Sequence, residues 1–392
     1  MKSGNKYKIQ RNVYKFLLRP ILFKLCPETA HDVVKNIMVG LQKIPGSKSL
    51  LKFLYRYDNP ILSQNVGGVH YNNPLLISAG FDKYGVLPSV IKDLGFSGIE
   101  LGSFSKNAHP GNPPVRLWRA VKSQSINVWY GLNNSGSKHV QDTIASDWKS
   151  IDGVCGVSVS ATNGISGSDE AIEDLTTSYK RLAPFGDYTT INLSCPNLGV
   201  SNPFFNMDNL ADLLLKLRSL RELMGLEDVP LYCKIGPDHT DDEIREMIDV
   251  MVEYGINGIL TCNLTTKREL LPDNDKTTYV FHKGKVEKRV MPDDRGGLSG
   301  HILRPMTNHI IRVCAQHIKD SEYEFIVIGI GGCDTPEDAY HKIRNGATLI
   351  HLITGMIFHG PQISAEINMG LTELLERDGY TNISQAIGVD LL

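Results

Sequence analysis

The sequence predicts an α/β fold, a (β/α)8 TIM barrel with an N-terminal two-helix extension. From residue 75 onward, short apolar or β-branched runs alternate with amphipathic helical stretches, as in successive βα units. Eight such runs fall within about 280 residues, which is the number and scale of a TIM barrel. A doubly wound sheet is the alternative, but its G-x-G-x-x-G fingerprint is absent after the first strand.

Composition narrows the class of protein. The chain has 392 residues, 41% hydrophobic and 21% charged, with a formal net charge of −2, which argues against nucleic-acid binding. The seven cysteines are widely and irregularly spaced without a C-x-x-C pair, so neither a zinc site nor a disulfide framework is indicated, and a reducing compartment is expected. No run approaches the roughly 18–20 apolar residues that span a bilayer. The start of the chain shows no signal-peptide pattern.

Residues 1–58 are predicted to form a helical extension ahead of a barrel domain over residues 59–392. Apolar residues recur at helical spacing over residues 12–25, where Pro20 should kink or interrupt the helix. A second helix should begin at Pro27 and end at Pro45-Gly46. All seven charged residues before Pro27 are basic. Two hypotheses stay open: a cap that packs on the barrel, or a membrane-surface anchor with an apolar tunnel between its helices.

The barrel strands are predicted from runs rich in apolar and β-branched residues. They are residues 75–79, 98–102, 154–159, 189–193, 231–235, 258–262, 325–330 and 348–352. Two of the intervening segments, residues 104–153 and 264–324, are too long for a simple crossover. Residues 267–294 are charged, polar and weakly periodic, and we expect an insertion that lies over the barrel mouth or beside it.

Polar residues follow several of these runs, at the strand ends where barrel enzymes carry their reactive groups. Asn192 ends the fourth run, and Cys195 and Asn197 lie in the loop after it. Cys195 is the candidate general base, because a thiol with a pKa of about 8.5 ionises nearer to working pH than a hydroxyl does. The alternative is a small buried packing residue. Asn263, after the sixth run, supplies a further amide.

Two lysines and one glycine turn complete the predicted set. Lys234 lies inside an apolar strand, where an unpaired ammonium is costly; it either forms a Schiff base or stabilises negative charge on a cofactor ring. Lys83 is suited to a substrate carboxylate, and the alternative is a solvated loop lysine or a partner of Asp82. The turn at residues 329–332 follows the seventh run and precedes a helix, which favours a phosphate site.

Six segments together resemble the dihydroorotate dehydrogenases. They are Ser-Ala-Gly-Phe-Asp-Lys (78–83), Glu-Leu-Gly-Ser (100–103), Asn-Leu-Ser-Cys-Pro-Asn (192–197), Cys-Lys-Ile (233–235), Arg-Gly-Gly-Leu-Ser-Gly (295–300) and Ile-Gly-Gly (330–332). The stretch Pro-Glu-Thr-Ala-His (27–31) is similar to the membrane-associated, quinone-reducing class, class 2. The resemblance implies that FMN accepts a hydride from (S)-dihydroorotate, that ubiquinone is the final acceptor, and that the product orotate enters pyrimidine (UMP) biosynthesis. In eukaryotes it implies the mitochondrial inner membrane.

The resemblance also implies roles for individual residues, with Cys195 as the base. The substrate would contact Lys83, Asn127, Gly131, Leu132, Asn192, Asn197 and Asn263. FMN would contact Ala79, Gly80, Ser103, Asn192, Lys234, Cys262, Ser299, Gly300, Gly331, Gly332, Ile353 and Thr354. The quinone would meet His31 and Arg119.

The sequence is also compatible with three alternative functions. The quinone class generally carries serine as its base, whereas cysteine is typical of the soluble class that uses fumarate or NAD, so Cys195 favours that class. An aldolase-type barrel would use Lys234 as a Schiff-base nucleophile. A non-enzymatic membrane-binding module would use the N-terminal helices alone, and the many polar groups at strand ends argue against it.

Overall fold

The computed structural model describes residues 3–194 and 203–392. The predicted base Cys195 and the predicted substrate amide Asn197 lie outside these residues.

The strands come from short apolar runs, and eight of them close into a parallel barrel. They are β1 (Gln64–Val66), β2 (Val69–Tyr71), β3 (Leu75–Ile77), β4 (Gly98–Phe104), β5 (Leu117–Ala120), β6 (Ser125–Val128), β7 (Val154–Val159), β8 (Tyr188–Asn192), β9 (Leu231–Ile235), β10 (Gly258–Thr261), β11 (Thr277–His282), β12 (Lys285–Val290), β13 (Gly297–Gly300), β14 (Ile326–Ile330) and β15 (Leu349–Leu352). The barrel order is β3-β4-β7-β8-β9-β10-β14-β15, and β15 pairs back onto β3. The predicted (β/α)8 barrel is confirmed.

Helices surround this barrel. They are α1 (Ser3–Val13), α2 (Arg19–Lys24), α3 (Pro27–Gln42), α4 (Ser47–Tyr55), α5 (Pro88–Asp93), α6 (Ser137–Thr143), α7 (Ala145–Trp148), α8 (Ser168–Leu182), α9 (Met207–Met224), α10 (Asp241–Glu253), α11 (Arg304–Asp320), α12 (Pro336–Arg344), α13 (Thr354–His359) and α14 (Ile363–Arg377). The crossover helix α10 shows why such segments fold locally. Thr240 and Glu243 form a capping box at its start, and Ile244, Met247 and Ile248 point into the core.

The N-terminal extension packs on the barrel, where α1 contacts α14 and α3 contacts α5 and β5. A π-helical turn, Tyr14–Leu18, joins α1 to α2, so the helical path continues past Pro20. The Arg19 amide donates a hydrogen bond to the Tyr14 carbonyl, which makes this turn wider than an α-helical turn. Pro20 lacks an amide hydrogen, and the wider turn before it allows the helix to continue. The predicted second helix is α3, and a further helix, α4, follows it. No helix in the described parts of the chain has both the length and the hydropathy that crossing a bilayer requires.

The two ends of the barrel differ. The hairpin β1–β2 places Val66 and Tyr71 in an apolar cluster with Leu76, Tyr188 and Tyr232, which fills one end. At the other end, β13, β6 and β5 form an antiparallel sheet beside the carboxyl ends of the strands. The insertion at residues 267–294 contains the hairpin β11–β12, which contacts α2. The candidate site therefore lies at the open end, between the barrel, the small sheet and the extension.

Candidate active site

A cavity at the carboxyl ends of the barrel strands collects most of the predicted residues. Its predicted lining residues are Ala79, Gly80, Lys83, Ser103, Gly131, Leu132, Asn192, Lys234, Asn263, Ser299, Ile353 and Thr354. An adjoining compartment contains Cys262, Gly300, Gly331 and Gly332, and it shares Lys234, Asn263 and Thr354 with the first. The structure thus brings these sixteen residues together around two adjoining cavities.

A chain of short hydrogen bonds fixes the amides at the strand ends. Asn192 donates from Nδ2 to Ser103 Oγ at 2.9 Å, and Asn263 donates from Nδ2 to Asn192 Oδ1 at 3.2 Å. Ser103 Oγ lies 2.7 Å from Ser158 Oγ. Because a neighbouring side chain orients each amide, the Asn192 and Asn263 side chains are held in a fixed arrangement in the cavity wall.

Lys234 points into the site from β9 and is buried beside Glu100. Its Nζ donates to Ser78 Oγ at 3.1 Å and lies 3.8 Å from Glu100 Oε1. Burial raises the pKa of Glu100, and the nearby ammonium opposes this shift. His351 Nδ1 lies 3.8 Å from the same carboxyl group, and burial lowers the pKa of His351 to about 3, so this imidazole is neutral. Sequence reasoning missed Glu100 and His351, although ionisable residues inside apolar strands were a usable signal.

Lys83 is buried rather than solvated. Its Nζ lies 3.8 Å from the centre of the Tyr130 ring, and burial lowers its pKa to about 8. Asp82 accepts hydrogen bonds from the backbone amides of Tyr84, Gly85 and Leu87. The alternative of a solvated lysine is therefore wrong, and Asp82 instead shapes the loop that carries Lys83. Tyr130, which lines the cavity, was not singled out from the sequence.

Asn127 is the predicted substrate residue that the structure does not bring to the cavity. It lies on β6 between Ile126 and Val128, which both line the cavity, and side chains alternate along a strand. Its side chain therefore faces the other way, where it accepts from Arg268 Nη1 at 3.1 Å and donates to the carbonyl of Arg295. Among the described residues, Asn133 lines the cavity, whereas Asn127 does not.

The turn after β14 has a conformation that requires glycine, and glycine-rich turns of this kind are typical of phosphate sites. Gly331 and Gly332 have φ of 99° and 60°, a region that side chains other than glycine rarely adopt. A Cβ on Gly332 would lie 2.5 Å from the Cβ of Arg304, whose Nε donates to the Gly332 carbonyl. Helix α12 follows, with Thr335 as its N-cap. The backbone of this turn lines the compartment that Lys234 also lines.

A third, apolar cavity lies between the extension and the barrel. It is lined by side chains of α2, α3 and α4 together with His31 and Arg119. Arg119 Nη1 donates to the carbonyls of Phe23 and Leu25 at 3.1 and 3.0 Å, and burial lowers its pKa to about 10. Burial also lowers the pKa of His31 to about 3, so the imidazole is neutral. The structure therefore brings both predicted quinone residues to one cavity.

This apolar cavity adjoins the cavity at the strand ends. The residues that line both are His31, Phe81, Leu117, Ile126 and Ile357. Three adjoining cavities, together called the passage here, therefore extend from the N-terminal helices, past the strand-end amides and Lys234, to the glycine turn.

The closed barrel and this strand-end site define a (β/α)8-barrel enzyme. A model of the family described as dihydroorotate dehydrogenase matches residues 61–375. The dihydroorotate dehydrogenase (quinone) of Natronomonas pharaonis is 34% identical over 377 residues, 96% of this chain and 99% of that protein. That of Roseiflexus castenholzii is 34% identical over 374 residues, 95% of this chain and 96% of that protein.

Solved structures give the same result. The ligand-free DHODH of Eimeria tenella superposes with a TM-score of 0.77 at 28% identity, covering 93% of this chain and 99% of that one. The complex of that enzyme with ferulenol has a TM-score of 0.76 at 27% identity, covering 93% of this chain and 95% of that one. The chain belongs to the dihydroorotate dehydrogenase family, whose members are flavoprotein oxidoreductases.

Proposed function

We propose that this protein oxidises (S)-dihydroorotate to orotate in pyrimidine (UMP) biosynthesis, with FMN as the cofactor and ubiquinone as the final acceptor. The row of three adjoining cavities from the N-terminal helices to the glycine turn is the observation that supports it most, since it offers neighbouring places for a quinone, a substrate and a phosphorylated cofactor.

The donor set fits FMN. The backbone at Gly331 and Gly332 suits its phosphate. Lys234 lines both the compartment beside that turn and the strand-end cavity, where an ammonium would stabilise a negatively charged ring edge. Ser299 and Thr354 supply hydroxyls 2.9 Å apart in the same wall. When bound there, FMN would supply the two-electron acceptor for the hydride from C6 of dihydroorotate and the donor of those electrons to the quinone.

The chain's own groups would bind the substrate and move its proton. Lys83 would pair with the substrate carboxylate, and Asn192 and Asn263 would hold the ring, with Asn197 as a further amide. Cys195 Sγ, as the thiolate, would take the proton from C5. The mainly apolar tunnel contains the neutral imidazole of His31 and the cationic guanidinium of Arg119, and its apolar side chains would admit the quinone ring.

Membrane association through the N-terminal helices is part of the proposal. Eleven of the 22 exposed large apolar side chains in the described residues lie between residues 9 and 53. The charged side chains before Pro27 are all basic, which suits an anionic surface. In a eukaryotic cell, the corresponding place is the mitochondrial inner membrane.

A second candidate is the soluble-class reaction with fumarate or NAD, and Cys195 is the observation that favours it. Turnover of dihydroorotate with quinone, fumarate and NAD offered separately tests both. We expect turnover with ubiquinone; turnover with fumarate or NAD alone would overturn the proposed acceptor. A colourless protein that is trapped by borohydride would instead support a Schiff base on Lys234.

The base is tested at Cys195. We expect Cys195→Ala to keep its flavin and its substrate affinity while flavin reduction slows by at least about 100-fold, because general-base catalysis contributes on that order. Cys195→Ser should retain part of the activity and shift the pH dependence upward, because a hydroxyl ionises less readily. Flavin reduction by Cys195→Ala at the wild-type rate would exclude this residue as the base.

A further inference from the structure

The hairpin β11–β12 carries an apolar face that the proposed function does not use. Tyr279 and Phe281 on β11 pair with Lys288 and Val286 on β12, and residues directly opposite each other lie on the same face of a hairpin. Tyr279 is 65% exposed and Val286 is 70% exposed. We define the hairpin face by its large apolar members, which are Tyr279, Phe281, Val286 and Val290.

The opposite face of the hairpin is directed at the protein. Val280 is buried, and Arg289 and His282 hold Glu287 there in a small polar cluster. The turn at Lys283 and Gly284 has φ of 49° and 81°, as a tight two-residue turn requires. The hairpin is therefore an ordered element whose outer face is defined by its strand register.

The charge of the hairpin is complementary to an anionic surface. Its 14 residues contain four basic side chains and one acidic one, Glu287, and that carboxylate is paired on the inner face. Lys283 and Lys285 are exposed at the tip, and Lys288 is exposed among the apolar side chains of the hairpin face. Apolar side chains interspersed with lysine are the composition that binds the interface of an anionic bilayer.

The hairpin face also adjoins the N-terminal helices. Leu25, directly after α2, forms a β-bridge with Phe281, and α2 contacts β11. Ile21, one helical turn before Leu25, is exposed, as are Phe16 and Leu17 in the π-helical turn. Exposed apolar and basic side chains thus continue from the extension onto a segment more than 250 residues later in the chain.

We propose that the hairpin face is a second membrane-binding element, which enters the headgroup region of an anionic lipid bilayer beside the N-terminal helices. This inference deepens the proposed function, because it rests on the proposed membrane association of those helices. Binding through both the N-terminal helices and the hairpin face would fix the orientation of the protein on the bilayer. The mouth of the tunnel would then face the lipid that contains the quinone.

The test is co-sedimentation of the full-length holoenzyme with phosphatidylcholine vesicles, with and without phosphatidylglycerol. Three variants are compared with the wild type. The first is Tyr279→Ser with Phe281→Ser and Val286→Ser, the second is Lys283→Gln with Lys288→Gln, and the control is Leu215→Ser with Leu223→Ser. Leu215 and Leu223 are equally exposed apolar residues, but they lie on α9. Flavin reduction by dihydroorotate, measured without vesicles, shows that each variant is folded.

We expect the apolar variant to bind anionic vesicles at least about tenfold more weakly, because it removes three large apolar side chains from the interface. The lysine variant should lose about tenfold on anionic vesicles only, and the control should bind like the wild type. Wild-type binding by both hairpin variants would overturn the inference and leave the proposed function intact. If the wild type itself does not bind vesicles, the proposed membrane association fails as well. If gel filtration shows that the wild type is a dimer and the apolar variant a monomer, with unchanged vesicle binding, the hairpin face belongs to a contact with a second copy of the chain and the inference is overturned.

Discussion

Two lysines lie buried at the mouth of the barrel, and their surroundings differ. Lys234 has Glu100 within 3.8 Å, so much of the cost of burying its ammonium is offset inside the protein. Lys83 has the face of Tyr130 at 3.8 Å, and its pKa is lowered to about 8 by burial. A bound carboxylate would stabilise the charged form of Lys83 most, because this lysine's charge is the less compensated of the two.

The pKa of Lys83 predicts how activity depends on pH. Its folded value of about 8 lies below the ordinary 10.5, so the cation predominates below pH 8 and is lost as the pH rises through it. We expect kcat/KM for dihydroorotate to fall by about tenfold per pH unit once the pH exceeds both this value and the ordinary thiol pKa of about 8.5, since the base is then fully ionised and only the Lys83 cation pairs with the substrate carboxylate. The same shift means that burial of the ammonium destabilises the fold below about pH 8, and that this cost fades as the pH rises toward 10.5.

The matched variants for this prediction are Lys83→Arg and Lys83→Ala. A guanidinium does not titrate in this range, so Lys83→Arg should keep some activity and lose the descending part of the pH profile. Lys83→Ala should raise KM strongly at every pH. If the descending part persisted at the same pH in Lys83→Arg, it would belong to another group.

At the scale of elements, the loop of residues 80–87 holds Lys83 in place through its backbone. Asp82 binds three amides of this loop, and Trp148 Nε1 donates to the Gly85 carbonyl at 3.0 Å. Gly85 has φ of 74°, and a Cβ there would lie 2.5 Å from the Trp148 ring. The loop therefore depends on one glycine for both its conformation and its close contact with α7.

Gly85→Ala should therefore disturb substrate binding as well as stability. We expect it to lower the free energy of unfolding by about 2–4 kcal/mol, since the positive φ and the overlap both contribute. The control is Gly255→Ala, with φ of 75° and no atom near the added Cβ, which should cost only about 1 kcal/mol. Urea unfolding and KM for dihydroorotate check this. Equal losses of stability in the two variants, with an unchanged KM in both, would contradict the role of this loop.

The elements that could be predicted from the sequence are those whose residue pattern is visible within a short segment of the chain. All eight barrel strands were predictable, because parallel strands buried on both faces appear as continuous apolar runs. The hairpin β11–β12 was not, because its outer face mixes Tyr279, Phe281, Val286 and Lys288 and its pairing depends on a tight turn at Lys283 and Gly284. The side-chain orientation of Asn127 could not be predicted from the sequence either. The pairing of β6 with β13 determines which of its side chains point into the cavity.

At the scale of the molecule, the passage joins parts of the chain that are far apart in sequence. His31 and Arg119 belong to different elements, and they reach one cavity because α3 packs against β5. The family resemblance named both residues, but only the packing of the extension shows that their cavity shares five lining residues with the strand-end site. Periodicity and motifs carry no information on how two such cavities connect.

If the quinone binds in the apolar cavity, filling that cavity should slow electron transfer to ubiquinone without slowing flavin reduction by dihydroorotate. Ala30 lines the apolar cavity and not the strand-end cavity, so Ala30→Trp should fill the tunnel and leave the substrate site intact. We expect turnover with ubiquinone to fall at least about tenfold, while stopped-flow reduction of the flavin by dihydroorotate stays near the wild-type rate. A small water-soluble acceptor should restore turnover, because it need not enter between the helices. Equal slowing of both half-reactions would show that the tunnel and the substrate site are not separate compartments, and unchanged ubiquinone turnover would show that the quinone enters elsewhere.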